Sequence, residues 1–232
     1  NAKTRPIRIF AAWSLGVCVL TIFFTFSRGG FLALIVALGL MLARRPPSLP
    51  SLLITLALII PMAQFMPASY TERIQTMFES LPIFGGDAQN ESSFRGRLSE
   101  NTVAWMMFEE HPLLGVGLNN YPSEYLNYSQ RLGIDPRRED RAPHNFYLQI
   151  AAETGLFGLA AFGLIMWYMF RGIRQAQADM MKADKPEYAG MIWAFTAGLM
   201  GYFTAAIFLH AAYPRFFWML VGIALSLPVI AR

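Results

Sequence analysis

Residues 9–26 hold eighteen consecutive positions without a charged side chain. That is long enough to cross a bilayer as a helix, which takes roughly 17–25 apolar residues. Five more predominantly apolar runs follow, at about 30–43, 49–68, 146–170, 189–210 and 216–231, of which 30–43 and 216–231 are short. A chain built this way has few soluble folds open to it. Only 15% of its residues are charged and 55% are hydrophobic, against about 25% charged in an ordinary soluble domain. That composition excludes intrinsic disorder. The single cysteine, Cys18, lies inside an apolar run, so neither an internal disulfide nor a cysteine zinc site is available. The expected fold is an all-α membrane protein of about six transmembrane helices. It divides into three spans in 1–68, a long outer loop with short helices in 69–145, and three spans in 146–232.

Charge placement gives the orientation. Lys3, Arg5 and Arg8 precede the first run, and Arg44 and Arg45 follow the second. Arg171, Arg174, Lys182 and Lys185 separate the fourth from the fifth, and Arg232 follows the sixth. With six spans all of these fall on one side, which the positive-inside rule makes cytoplasmic. The turn at 27–30, the loop at 69–145 and the turn at 211–215 then face outward.

The long loop carries seven Arg, no Lys and eleven acids. The acids outnumber the Arg, so it is no polyanion-coating patch, and nucleic acid is not expected as a partner. Long loops are exempt from the orientation rule, and Arg73 and Arg131 need no further meaning. The exclusive choice of Arg also suits phosphate, whose oxygens the guanidinium fork grips bidentately. Residues 98–110 read as a helix with Val103, Met106 and Met107 on one flank, stopped by Pro112. The stretch 113–117 reads as a turn; its Gly115 and Gly117 lack the third glycine and the strand–helix setting of a dinucleotide site. Residues 122–130 read as a second helix with Tyr121, Tyr125 and Tyr128 at i, i+4 and i+7. Such a stripe is ordinarily packing; exposed, it could stack on sugar rings or sit among lipid headgroups.

A few polar residues near the apolar runs are candidates for chemistry. Arg28, in Ser27-Arg28-Gly29-Gly30, lies between two runs. Its position fits a functional cation and equally a turn residue snorkelling to headgroups. His144 lies two residues before the fourth run, and an imidazole is a side chain that can take a proton near neutral pH. It could instead only cap the span. His111 reads as helix-end chemistry beside Pro112, and His210 ends the fifth run. Glu153 lies nine residues past His144, which a continuous helix would place about 13 Å deeper. It would need a partner there, with Arg28 one option, and a structural ion pair is the expected role. The acids form no ligand-spaced cluster, Glu139-Asp140 included, so no metal and no cofactor is expected. Neither a serine nucleophile elbow nor a phosphate loop is present.

Three stretches carry a family resemblance. SRGGFLALIVAL resembles the opening motif of the O-antigen ligase and polymerase family of bacterial envelope glycosyltransferases. GRLSENTVAWMMFEEHPLLGVGLNNY resembles its outer-loop motif, and APHNFYLQIAAETGLFGL its His-Asn motif leading into a span. They occur in family order over about 27–158. The resemblance implies the C-terminal part of a many-spanning protein of the bacterial inner membrane, facing the periplasm or exterior. It implies a glycan on undecaprenyl diphosphate as donor, with another glycan, a lipid A core or a protein as acceptor and membrane lipid around it. By motif match Arg28 and Arg97 would hold the diphosphate and His144 would be catalytic, with Arg95, Arg141, Asn145 and Glu153 in support. Where the family often has Trp four residues after the loop Arg, this chain has Asn101, with Trp105 a turn later. Protein O-oligosaccharyl transfer belongs to the same family. Outside it, a transporter or flippase of a lipid-linked or anionic substrate would put Arg28 and Glu153 on a transport path. A non-catalytic scaffold would make all these residues structural. The 77-residue outer loop (69–145) with Arg and His at family spacing favours a transferase.

The orientation is directly testable. With Cys18 replaced by Ser, a cysteine at Asn127 should react with a membrane-impermeant thiol reagent in intact spheroplasts, and one at Gln177 should not. The reverse labelling would overturn the topology.

Overall fold

The computed structural model describes residues 5–25, 27–44, 92–133, 141–209 and 214–231. The expected span at 49–68 and the residues Arg73, Glu139 and Asp140 lie outside them. Every regular element among the described residues is helical: α1 (Arg5–Phe24), α2 (Arg28–Arg44), α3 (Ser92–Glu110), α4 (Tyr121–Leu132), α5 (Phe146–Lys182), α6 (Pro186–Ala205), a 3-10 turn (Ala206–Phe208) and α7 (Arg215–Ile230). Phe146–Lys182 and Pro186–Phe208 are long and apolar enough to cross a membrane; Ile9–Ile22, Gly29–Arg44 and Arg215–Ile230 are apolar but shorter. Trp13, Phe24, Trp167, Met191 and Val229 all stand exposed. In water such a surface would aggregate; against lipid it is the surface a helix needs.

Small residues bring the helices together, as lipid-embedded packing requires. A Cβ on Gly201 of α6 would lie 2.9 Å from the Ala33 carbonyl oxygen of α2, and one on Gly29 would lie 3.2 Å from Phe208. At the other end of α2, Arg44 stacks over Trp193 of α6 at 5.0 Å and donates to the Gln177 amide oxygen of α5. Thus α2 and α6 run antiparallel. Next to α5, Phe217 of α7 packs near Phe162 through the shared ring of Phe146, and Pro228 lies against Gly172, so α5 and α7 run parallel. The starts of α2 and α7 and the end of α6 therefore share one end of the bundle, and Arg44, Lys182 and Lys185 share the other.

The first part of α5 departs from the single span expected at 146–170. Gly155 has φ 61° and ψ −158°, and the helix breaks there. The Phe146 ring lies 5.3 Å from that of Phe162, sixteen residues on. In a continuous helix those positions would stand about 24 Å apart. The chain therefore climbs through 146–154, reverses at Gly155 and returns as the span proper. Glu153 therefore lies about 13 Å along the axis from His144, but at the reversal that ends a short segment and not midway along a continuous span.

The reversal is held by the turn that follows α3. Val116 N donates to Ala152 O (2.9 Å) and Gly117 N to Glu153 O (3.0 Å), while Leu156 N and Phe157 N donate back to Pro112 O (2.8 Å) and Leu113 O (3.3 Å). Groups that an unbroken helix would pair internally are paired across the two segments. The backbones touch so closely that a Cβ on Gly115 would run into the Glu153 main chain, and one on Gly155 would lie 2.5 Å from Leu113. Gly115 also has φ 66°.

On the other side of α3 lies α4, started by Pro122 and closed by Gly133 at φ 68°. Its tyrosine stripe is buried on α3, as packing and not as a binding face. Tyr121 donates to Glu100 O at 2.6 Å, Tyr125 shares a hydrogen bond with Ser99 at 3.0 Å, and Tyr128 donates to Glu110 at 2.8 Å. Arg131 meets the same Glu110 carboxylate at 2.7 Å. Arg131 and Tyr128 hold the Glu110 carboxyl below its ordinary range. Burial and Glu110 push Tyr128 up to about 12.

Gly115→Ala and Gly155→Ala should each destabilise the protein by at least about 1–3 kcal/mol from backbone conformation alone, with the steric clash in addition. Gly163→Ala, which meets nothing within 4 Å, should be neutral or stabilising. Thermal unfolding of the purified protein in detergent reads the difference; equal stability of all three would refute the close crossing.

Candidate functional site

His144 lies where the chain enters α5, and both of its neighbours are fixed. Pro143 before it is fully buried. Asn145 after it is the helix cap, its Oδ1 accepting from Tyr147 N (3.0 Å) and Leu148 N (3.1 Å). This disposes of the idea that His144 itself caps the span. It also gives Asn145, expected as a supporting residue, a defined role in placing the histidine. Tyr147 ties the same point to the bundle, donating to Phe203 O of α6 at 3.0 Å.

The half-exposed imidazole of His144 places Nδ1 2.6 Å from Glu100 Oε2. The second oxygen, Oε1, lies 2.9 Å from Arg141 Nη1. Glu100 is 1% exposed. A carboxylate buried to that degree is costly unless charge and hydrogen bonds compensate, and here Arg141 and His144 both engage it. Its place on α3 is fixed from behind by Tyr121, whose hydroxyl burial and the nearby Glu100 hold well above its ordinary range. Arg141 and His144 thus contact the two oxygens of one acid.

Glu100 is the residue that sequence reading missed. Its signal was periodic: Glu100, Val103 and Met107 fall on one helix face, and the other two are buried. A carboxylate on an apolar stripe demands a partner, but the partners lie 41 and 44 residues away in sequence.

Arg97 stands exposed on α3 one turn before Glu100, on the same helix as the site. The backbone of Arg28 opens α2 beside Phe208, at the bundle end that Tyr147 also contacts through Phe203. The side chains of Arg28 and Arg95 lie outside the described residues. Glu153 is buried at the far end of segment 146–154 from His144, with its carbonyl in the reversal. The expected Arg28–Glu153 pairing lies outside the described contacts.

The arrangement can hold a base. Nδ1 of His144 faces the Glu100 carboxylate, and the tautomer of the ring decides which of the two nitrogens carries a proton. A family model described as O-antigen ligase matches residues 13–163, taking in α2, α3, α4, the reversal and His144. No curated protein matches the chain significantly.

Proposed function

The chain belongs to the O-antigen ligase family, a family of membrane glycosyltransferases, and on that premise we propose that it moves a glycan from undecaprenyl diphosphate to an acceptor hydroxyl at the outer face of the inner membrane. The observation that carries this reading is the His144–Glu100–Arg141 cluster, set where the chain enters the bundle. It combines a half-exposed base with a buried acid behind it. The six-span topology, with the site facing the periplasm, belongs to the same reading.

In this reaction the acceptor oxygen attacks the anomeric carbon on the face opposite the diphosphate. The proton of the acceptor passes to His144 Nε2 as the new glycosidic bond forms. The bond from the anomeric carbon to the diphosphate oxygen breaks, and its electron pair leaves with the lipid diphosphate. One such step inverts the anomeric centre. The charge growing on the leaving group needs fixed positive partners in a site of low dielectric. Arg28 and Arg97 serve as that clamp, with Arg95 alongside. Gly29 and Gly30 after Arg28 keep the start of α2 slim, and Gly29 is buried against Phe208.

Two outcomes are expected from purified protein given a lipid-linked oligosaccharide and acceptor without added metal. His144→Gln should lose roughly 10²–10⁴-fold in turnover while donor binding persists. Near-normal turnover in that variant would remove the proposed base. Arg28→Lys should fail nearly as badly as Arg28→Ala, because lysine keeps the charge and loses the fork. Full transfer by Arg28→Lys at normal abundance would make a bidentate grip untenable.

A further inference from the structure

Glu100 divides its two oxygens between two partners, and the division is informative. Were its purpose only to tie α3 to the turn before α5, the strongest arrangement would be a bidentate pair with Arg141, both oxygens on one guanidinium. Instead Arg141 has Oε1 at 2.9 Å and Oε2 is given to His144 Nδ1 at 2.6 Å. The carboxylate reaches the imidazole from behind, out of a buried position.

We infer that Glu100 is a positioning residue that sets the proton on Nδ1 of His144 and so turns Nε2 into the proton acceptor. The surroundings make the setting rigid. The Tyr121 hydroxyl fixes the Glu100 backbone carbonyl at 2.6 Å. A carboxylate accepts hydrogen bonds and does not donate them, and Arg141 Nη1 holds its other oxygen at 2.9 Å. Buried Pro143 and the Asn145 cap fix the histidine backbone on both sides. With its backbone held, His144 retains ring orientation and tautomer as freedoms, and the carboxylate at 2.6 Å acts on both. The same contact receives the positive charge that appears on the imidazole when the acceptor's proton arrives on Nε2, as an orienting acid does in a base–acid pair. This inference rests on the proposed role of His144 as base.

The test uses the full chain in lipid nanodiscs, labelled with [15N]histidine. The chain has three histidines, so subtraction of the His144→Gln spectrum isolates the His144 signal. At a pH where the ring is neutral, the wild-type signal should be that of the Nδ1–H form. In Glu100→Gln the amide can present an N–H to Nδ1, so the signal should move toward the Nε2–H form. Turnover should fall about 10²-fold or more, with the donor KM unchanged. Glu100→Asp, which keeps the carboxylate, should retain the Nδ1–H form and clearly more turnover than Glu100→Gln; it also serves if the glutamine variant does not fold. Glu100→Gln with the wild-type tautomer and turnover would overturn the assignment. So would equal losses in both variants with the tautomer unmoved, which is the behaviour of a purely structural acid. Should the wild-type protein transfer nothing from a lipid diphosphate donor, the functional reading fails, and the tautomer comparison still decides the role of Glu100.

Discussion

Four backbone hydrogen bonds between 112–117 and 152–157 hold the rest of this structure in place. A helix broken inside an apolar run leaves amides and carbonyls without their usual partners, at a cost that neither lipid nor an apolar core forgives. Here the turn after α3 supplies those partners from its own main chain. Two glycines make the approach close enough, one on each side of the crossing. Remove the crossing, and 146–154 would straighten into its span, carrying the start of α5 away from α3.

Around that crossing the protein sorts its burial into two kinds. The membrane bundle is aromatic and aliphatic: Tyr202 stacks on Phe217 at 5.3 Å, and Phe146, Phe162 and Phe203 surround the same ring or its neighbours. The layer of α3 and α4 is tyrosine-rich, and the hydroxyls of Tyr121, Tyr125 and Tyr128 each have a partner on α3. The tyrosines of this layer satisfy the rule that a buried tyrosine oxygen needs a hydrogen bond, whereas in the bundle the buried Tyr202 hydroxyl has no hydrogen-bond partner among the described residues. Glu110 closes the layer at its outer corner. Because its carboxyl titrates below the ordinary range, this contribution is complete above the unfolded value and fades as pH falls through the depressed native one. The corner is exposed, so the effect is small.

Much of this was legible in the sequence. The uncharged run at 9–26 became Arg5–Phe24, Pro112 and Pro122 bracketed the turn, and the tyrosine period marked a packed face. Local signals sufficed there because each element answers to its own neighbours. The reversal was not legible. Thr154-Gly155 sits in an apolar stretch with helical periodicity on both sides, and the segment that makes the break tolerable lies some forty residues upstream. Glu100 was hidden for the same reason: its meaning depends on Arg141 and His144, which only the fold brings near. The arginines stand between these cases, since composition singled them out while the grip on an anion proposed for them would depend on three-dimensional convergence.

The reversal also makes a closed frame. From Glu100 to Glu110 the chain rises along α3, and from His144 to Thr154 it rises along the start of α5; each strut advances ten positions. The struts are joined at one end by the acid–imidazole contact and at the other by the backbone crossing. Two helical struts of equal length keep both joints in register, because each residue adds about 1.5 Å and turns the face by about 100°. A single residue inserted into either strut would therefore swing the carboxylate off the imidazole while every local helix preference stayed satisfied. In this part of the chain, substitutions outside the crossing and the site can be absorbed by repacking, but a change of length cannot.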